Sequence, residues 1–245
     1  MTHKHCHNRL QSRREALIKG AAALLAATGL PTPGVLFAQS ALTRTPGETE
    51  GPYWVDVGLN RSDVRSDSAT GAVEPGLKLQ LAINISQLSN GTVSPLSGAQ
   101  VDIWHCNGLG VYSAVRQQNS QGQDFLRGYQ VTNGHGNVRF LSIYPGWYRG
   151  RTIHIHFRVR LYSDGQLTYN FVSQFFFADD ITDEVFLADP YNTRPNRDTR
   201  NHNDMVYTGP SQGPGSMVPT ESGEYLLLRL ADNGSHAIAS FNVVL

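Results

Sequence analysis

From residue 77 to residue 85 each odd position is Leu or Ile (Leu77, Leu79, Leu81, Ile83 and Ile85), with Lys78, Gln80, Ala82 and Asn84 between them. A period of two puts all five apolar side chains on one face of a strand, and an α-helix would scatter them around its axis. Further strands are predicted at 99–105, 138–144, 152–161, 169–177, 224–230 and 236–244. Clusters such as SPLSG (94–98) and TNGHG (132–136) mark turns between them. Many short strands with turn signals predict an all-β fold: an antiparallel β-sandwich with long covering loops and few helices. Two long segments do not read as strands. Residues 43–73 lead into the sheet, and residues 187–219, with their aromatic and DMVY content, read as an ordered covering loop.

The first 38 residues read differently from the rest. A paired arginine (Arg13, Arg14) and Lys19 precede an alanine-rich apolar run, which ends at Pro31 and Pro33 before a small residue at Ala38. This is the pattern of a twin-arginine export signal, removed to leave an exported, periplasmic or extracellular bacterial protein. The run is shorter than the roughly 20 residues a spanning helix needs, so no stable membrane anchor is expected after processing. The expected organisation is a signal over 1–38, a lead-in over 39–75 and one β-sandwich domain over 76–245.

Residues 1–38 carry five of the 20 Lys/Arg and one of the 20 Asp/Glu, so the remainder holds 15 and 19, a net of −4. That balance gives no basic surface for nucleic acid. The segment also takes with it Cys6 and the His3, His5 and His7 cluster, which has no assigned role. Cys106 then stands alone, and no intrachain disulfide can form.

The chemistry concentrates in YPGWYRGRTIHIHFR (144–158). On a strand His154 and His156 project to the same side, with Cα atoms about 6.5–7 Å apart, near enough to share a metal ion. Ile153, Ile155, Phe157 and Val159 face the other way. Tyr148 stands six residues before His154, after a Pro-Gly turn. Upstream, DIWHCNGLGVY (102–112) ends a strand in a glycine-rich turn carrying Tyr112. A phenolate needs a strongly charged Lewis acid to hold it deprotonated, so two phenolates with two imidazoles suit iron(III). Zinc more usually collects cysteine, histidine and carboxylate.

Three stretches, TPGETEGPYW (45–54), DIWHCNGLGVYS (102–113) and YPGWYRGRTIHIHFRV (144–159), resemble the intradiol ring-cleavage dioxygenases, the family of protocatechuate 3,4-dioxygenase and catechol 1,2-dioxygenase. The likeness runs from about 45 to 180, with a weaker echo in NRDTRNHNDMVY (196–207). It implies Tyr112, Tyr148, His154 and His156 as the protein ligands of Fe(3+). It further implies Arg151 as the active-site arginine that stabilises negative charge on the bound ring, Gln174 as the glutamine beside the substrate, and Tyr148 as the group that takes a substrate proton. The implied reaction combines a catechol-type aromatic substrate with O2 to give a cis,cis-muconate-type dicarboxylate.

Two departures bear on the substrate. Only RGRTI (149–153) separates Tyr148 from His154, where the best-known relatives have an insertion, which should open one wall of the pocket. The helical N-terminal segment that catechol 1,2-dioxygenases use to dimerise is absent, which leaves a homo-oligomer open. Pocket walls are expected from 52–54, 110–113, 147–149 and 187–207, with Arg149 or Arg194 as the candidates for an anionic ring substituent. Two other readings compete: a β-sandwich binding module whose site has decayed, and a copper or zinc hydrolase using His154, His156 and a carboxylate such as Asp102. His105 is expected to pack or hydrogen-bond, and His135 and His202 to be solvated.

Overall fold

In the computed structural model, residues 43–209, 222–232 and 236–245 are described. The predicted export segment 1–38, with Cys6 and the neighbouring histidines, lies outside them, as do residues 210–219 of the second long loop.

Among the described residues nine strands form two sheets: β1 (Lys78–Ser89), β2 (Thr92–Pro95), β3 (Gln100–Trp104), β4 (Arg127–Val131), β5 (Asn137–Ile143), β6 (His154–Ser163), β7 (Gln166–Phe176), β8 (Arg229–Asp232) and β9 (Ala237–Val244). The first sheet runs β2-β1-β9-β8, with β5 also on β1. The second runs β4-β3-β6-β7. β1 is long enough to take two partners along one edge, β5 opposite Lys78–Asn84 and β2 opposite Ser86–Ser89. Along its other edge lies β9, in parallel register from Leu79↔Ala237 to Ser86↔Val244. That parallel pair is the one departure from an antiparallel pattern among the described strands. A long excursion of chain separates the two strands, as a parallel pairing requires.

The alternation at the start of β1 has the expected result. Leu79, Leu81, Ile83 and Ile85 are buried against Ile155, Phe157, Val159 and Phe175 of the facing sheet. Phe157 and Phe175 stack with ring centroids 4.1 Å apart. Each such side chain contributes about 1.5–3 kcal/mol on burial, so this inner layer is the rigid floor under the functional face of β6.

One strand prediction fails. Residues 222–226 form a 3-10 turn, and the strand begins only at Arg229. The apolar residues there face a second cluster, in which Leu226 packs with Phe176 and Tyr207 rather than with the central core. The one described α-helix, α1 (Asp179–Val185), follows β7 directly and has Asp179 and Asp180 in its first turn, where acids favour the helix dipole.

The lead-in is part of the same packed unit, since residues 43–75 bridge both sheets. Thr45 N–H donates to Val244, Glu48 N–H to Val172, Arg61 N–H to Tyr129 and Val64 N–H to Leu141. The lead-in also covers the outer face of the second sheet. Arg160 Nη1 donates to Asp56 at 2.6 Å, Arg158 pairs with Glu50, and the Arg158 guanidinium sits 4.0 Å from the Trp54 ring. This cover is why both faces of β6 are buried at its start.

Candidate metal centre

β6 presents His154 and His156 on the face opposite Ile155 and Phe157, and all four are buried. β3 and β7 flank β6, with Trp104 paired to His156 on one side and Gln174 paired to His156 on the other. The His156 ring stacks on Trp104, with centroids 4.8 Å apart and planes 5° apart.

The two tyrosines arrive on neighbouring turns. After β3, the Asn107 side-chain oxygen accepts from the N–H groups of Leu109 and Val111, each at 3.0 Å, which closes a tight loop ahead of Tyr112. Gly110 takes φ +78° there, and a Cβ on it would lie 2.1 Å from the Trp147 carbonyl oxygen. The Tyr112 backbone is held on both sides: its N–H donates to Gln118 Oε1 and its carbonyl accepts from Ser120 Oγ, both at 2.5 Å. Gly146 packs so closely on Gly108 that any side chain would strike the Gly108 carbonyl. That approach brings the Tyr148 turn against the Tyr112 turn.

Four polar atoms therefore meet. His154 Nε2 lies 3.2 Å from His156 Nε2, 3.3 Å from Tyr112 Oη and 3.1 Å from Tyr148 Oη. His154 Nδ1 is 2.6 Å from the Thr152 carbonyl and so must carry the proton, which leaves a lone pair on Nε2. Three neighbours crowd a lone pair that accepts one good hydrogen bond. His156 Nδ1, also buried, has no hydrogen-bond partner.

The electrostatics fit a cation at this point. Burial, then the positive charge of Arg151, holds both imidazoles well below the usual histidine range, so they are neutral and able to ligate at physiological pH. Burial pushes the Tyr112 phenol well above its ordinary value, and the neighbouring Tyr148 adds to the effect. Burial likewise raises Tyr148, with Arg151 opposing it. The phenols stay protonated unless a strongly charged ion displaces the protons. Among the described residues no group of three or more His, Cys, Asp and Glu could hold a metal ion; beside the two imidazoles stand the two phenols. Two neutral imidazoles and two phenols suit the hard ion expected from the sequence, iron(III).

Arg151 lies at the edge of this cluster. Its Nη2 donates to Gln174 Oε1 at 2.6 Å, and its Nε donates to Asp204 Oδ2 at 2.9 Å. Gln174 Nε2 in turn donates to the Thr49 carbonyl at 2.8 Å. The structure thus brings all six predicted site residues together. Sequence reasoning missed Asp204, although the NDMVY echo in which it sits was visible. Tyr53, within the expected 52–54 wall, packs on both ligand candidates, 4.6 Å from Tyr112 and 6.0 Å from Tyr148.

Several other expectations resolve. His105 is buried, with Nε2 2.6 Å from Ser142 Oγ and Nδ1 2.9 Å from the Cys106 carbonyl. His135 and His202 are exposed. Asp102 is occupied by Arg160, at 3.0 and 2.7 Å, so it is not free to serve a hydrolytic metal site. Arg194 Nη1 is committed to the Leu109 and Trp147 carbonyls, which leaves Arg149 as the exposed cation of the two.

Comparison with known proteins bears on the family and the fold. A family model described as Dioxygenase matches residues 49–205. Catechol 1,2-dioxygenase of Candida albicans is 42% identical over 55 residues, covering 22% of this chain and 18% of that protein. Catechol 1,2-dioxygenase 1 of Acinetobacter lwoffii is 26% identical over 155 residues, covering 52% of this chain and 45% of that protein. The chain thus spans less than half the length of these curated relatives. An intradiol ring-cleavage dioxygenase from Tetranychus urticae has a similar structure, with a TM-score of 0.65 and 26% identity, covering 82% of this chain and 94% of that one. Catechol 1,2-dioxygenase from Pseudomonas arvilla shares the fold at a TM-score of 0.53 and 24% identity, covering 82% of this chain and 62% of that one. With the family model spanning most of the described sandwich, and both tyrosines and both histidines gathered at one point, the chain belongs to the intradiol ring-cleavage dioxygenases.

Proposed function

We propose that this protein is an iron(III)-dependent intradiol dioxygenase that cleaves a catechol-type ring between its two hydroxyl-bearing carbons. The product is a cis,cis-muconate-type dicarboxylate that contains both atoms of O2. The observation that carries the reading is the approach of Tyr112 Oη, Tyr148 Oη and His156 Nε2 to within 3.1–3.3 Å of His154 Nε2.

Tyr112, Tyr148, His154 and His156 would hold the iron. Bound there, iron(III) would supply Lewis acidity and make the electron density of the catecholate ring available to O2. The chain's own groups do the rest. The Thr152 carbonyl keeps the His154 proton on Nδ1. Tyr112 is fully buried and clamped at its backbone, so it serves as the fixed phenol. Tyr148 is only partly buried, on a short turn, so it is the phenol placed to take a substrate proton at Oη. Arg151 brings a fixed positive charge to the site for negative charge that develops on the ring, held in place before the reaction begins. Tyr53, Trp54 and Trp104 supply an apolar wall that limits water.

A decayed binding module is disfavoured because a site under no demand has no reason to keep four polar side chains converging at one buried point. The proposal includes export after loss of residues 1–38, which N-terminal sequencing of the secreted protein would test. The central test is the visible absorption spectrum of the purified protein, before and after anaerobic addition of catechol, followed by product analysis on admitting oxygen. A broad band that moves to longer wavelength, then muconate, is expected. A protein that stays colourless after iron reconstitution would rule the proposal out.

A further inference from the structure

Asp204 is a fully buried carboxylate in a covering loop, remote in sequence from every predicted ligand. Its Oδ2 accepts from Arg151 Nε at 2.9 Å and from Thr152 N–H at 2.7 Å, and its Oδ1 accepts from Val206 N–H at 2.7 Å and Tyr207 N–H at 3.1 Å. We infer that Asp204 is the positioning residue for Arg151: it grips the guanidinium by Nε so that Nη2 is delivered to Gln174, directly across the sheet from His156. The inference rests on the dioxygenase reading of the site and adds to it a residue that acts only through Arg151.

The physical need is clear from the charges. A cation placed beside a trivalent metal centre is repelled by it, and a free arginine side chain would gain about 2 kcal/mol of rotamer freedom by swinging into solvent. A carboxylate at Nε opposes both tendencies. The carboxylate is itself immobile because three backbone N–H groups bind it, those of Thr152, Val206 and Tyr207. From Asp204 the line of hydrogen bonds continues through Arg151 and Gln174 to the Thr49 carbonyl, linking the covering loop, the β6 entrance, β7 and the lead-in.

The loop also has anchors that do not involve Asp204. Arg197 pairs with Asp179 and Asp183, and Arg200 with Asp183 at 2.8 Å, tying the loop to α1. Asn201 accepts from Thr152 Oγ1 at 2.6 Å and donates to the Phe177 carbonyl at 2.9 Å. Asp204→Asn keeps these anchors and an oxygen for Val206 and Tyr207, and changes the side where Oδ2 binds Arg151 Nε and Thr152 N–H.

The test is a cycle of four iron-loaded full-length proteins: wild type, Asp204→Asn, Arg151→Ala and the double variant. Loss of a supporting hydrogen-bond partner should lower kcat for catechol cleavage about 10–100-fold in Asp204→Asn, with KM and iron content little changed. In the Arg151→Ala background the same substitution should cost no more than about 2-fold, because the group it acts through is gone. Equal losses in the two backgrounds would overturn the inference, since a structural role is indifferent to Arg151. A second measurement needs neither activity nor a variant. In the wild-type chain loaded with diamagnetic gallium(III), the Arg151 Nε–H should exchange with solvent about 10-fold or more slowly than the exposed Arg149 Nε–H. Equal rates would overturn the inference even if Asp204→Asn fails to fold. A wild type that neither colours nor cleaves catechol would instead count against the dioxygenase reading, leaving the exchange result to judge Asp204.

Discussion

His105 makes the folded protein sensitive to acid by an amount the structure allows to be worked out. It is fully buried and neutral, with Nδ1–H donating to the Cys106 carbonyl and Nε2 accepting from Ser142 Oγ. Burial lowers its pKa from 6.5 to about 4; the Cys106 carbonyl opposes the shift and the Arg127 charge adds to it. A depressed pKa means that below 6.5 the unfolded chain takes up a proton that the folded chain refuses. Stability is therefore intact above pH 6.5 and falls as pH drops towards 4, where the loss levels off. From pH 7.5 to 5.0 the loss from this one residue is about 2 kcal/mol. With a urea m-value of about 2 kcal/mol/M, that moves the unfolding midpoint by about 1 M. His154 and His156 titrate in the same direction, so the comparison must isolate His105. Urea unfolding of wild type and His105→Gln at both pH values does so, because the variant retains the other two histidines. The wild-type midpoint should fall by about 1 M more than that of the variant over this interval. Parallel falls would refute the argument, whatever the absolute stability of the variant.

Arg151→Ala should lower kcat about 100–1,000-fold, the usual cost of removing one preorganised charge-stabilising group. Iron content and colour should be retained, and near-normal turnover would remove Arg151 from the mechanism. The same variant leaves Asp204 with three backbone donors, so its thermal unfolding should show a loss of only about 1–3 kcal/mol. Tyr148→Phe should keep iron on the remaining three ligands, weaken and shift the visible band, and slow the catechol-induced spectral change. An unaltered spectrum would show that Tyr148 is not a ligand.

The parts of this protein that depend on local period were readable in the chain. Leu79 to Ile85 alternate because one face of β1 is in the core, and His154-x-His156 share a face because side chains repeat every two residues along a strand. The order Tyr112, Tyr148, Arg151, His154, His156 pointed to the chemistry, and these residues do converge. Where period was absent, the sequence was silent or misleading. β2 is short and exposed throughout, β4 is short and lacks apolar alternation, and the 222–226 turn packs its apolar residues on Phe176 and Tyr207 instead of extending as a strand.

The tertiary structure alone decided the environment of the site. No local pattern states that residues 49–56 fold over the outer face of β6, yet this cover buries the imidazoles and keeps them neutral. Nor does any spacing say that Asp204, more than fifty residues beyond Arg151, will hold its Nε. That His154 and His156 share a face follows from a short-range rule of backbone geometry, which a sequence carries explicitly, and the two tyrosines were implied by the family resemblance. Their protonation states and their supporting partners depend on which distant segments exclude water from them, and that is settled only when the chain has closed.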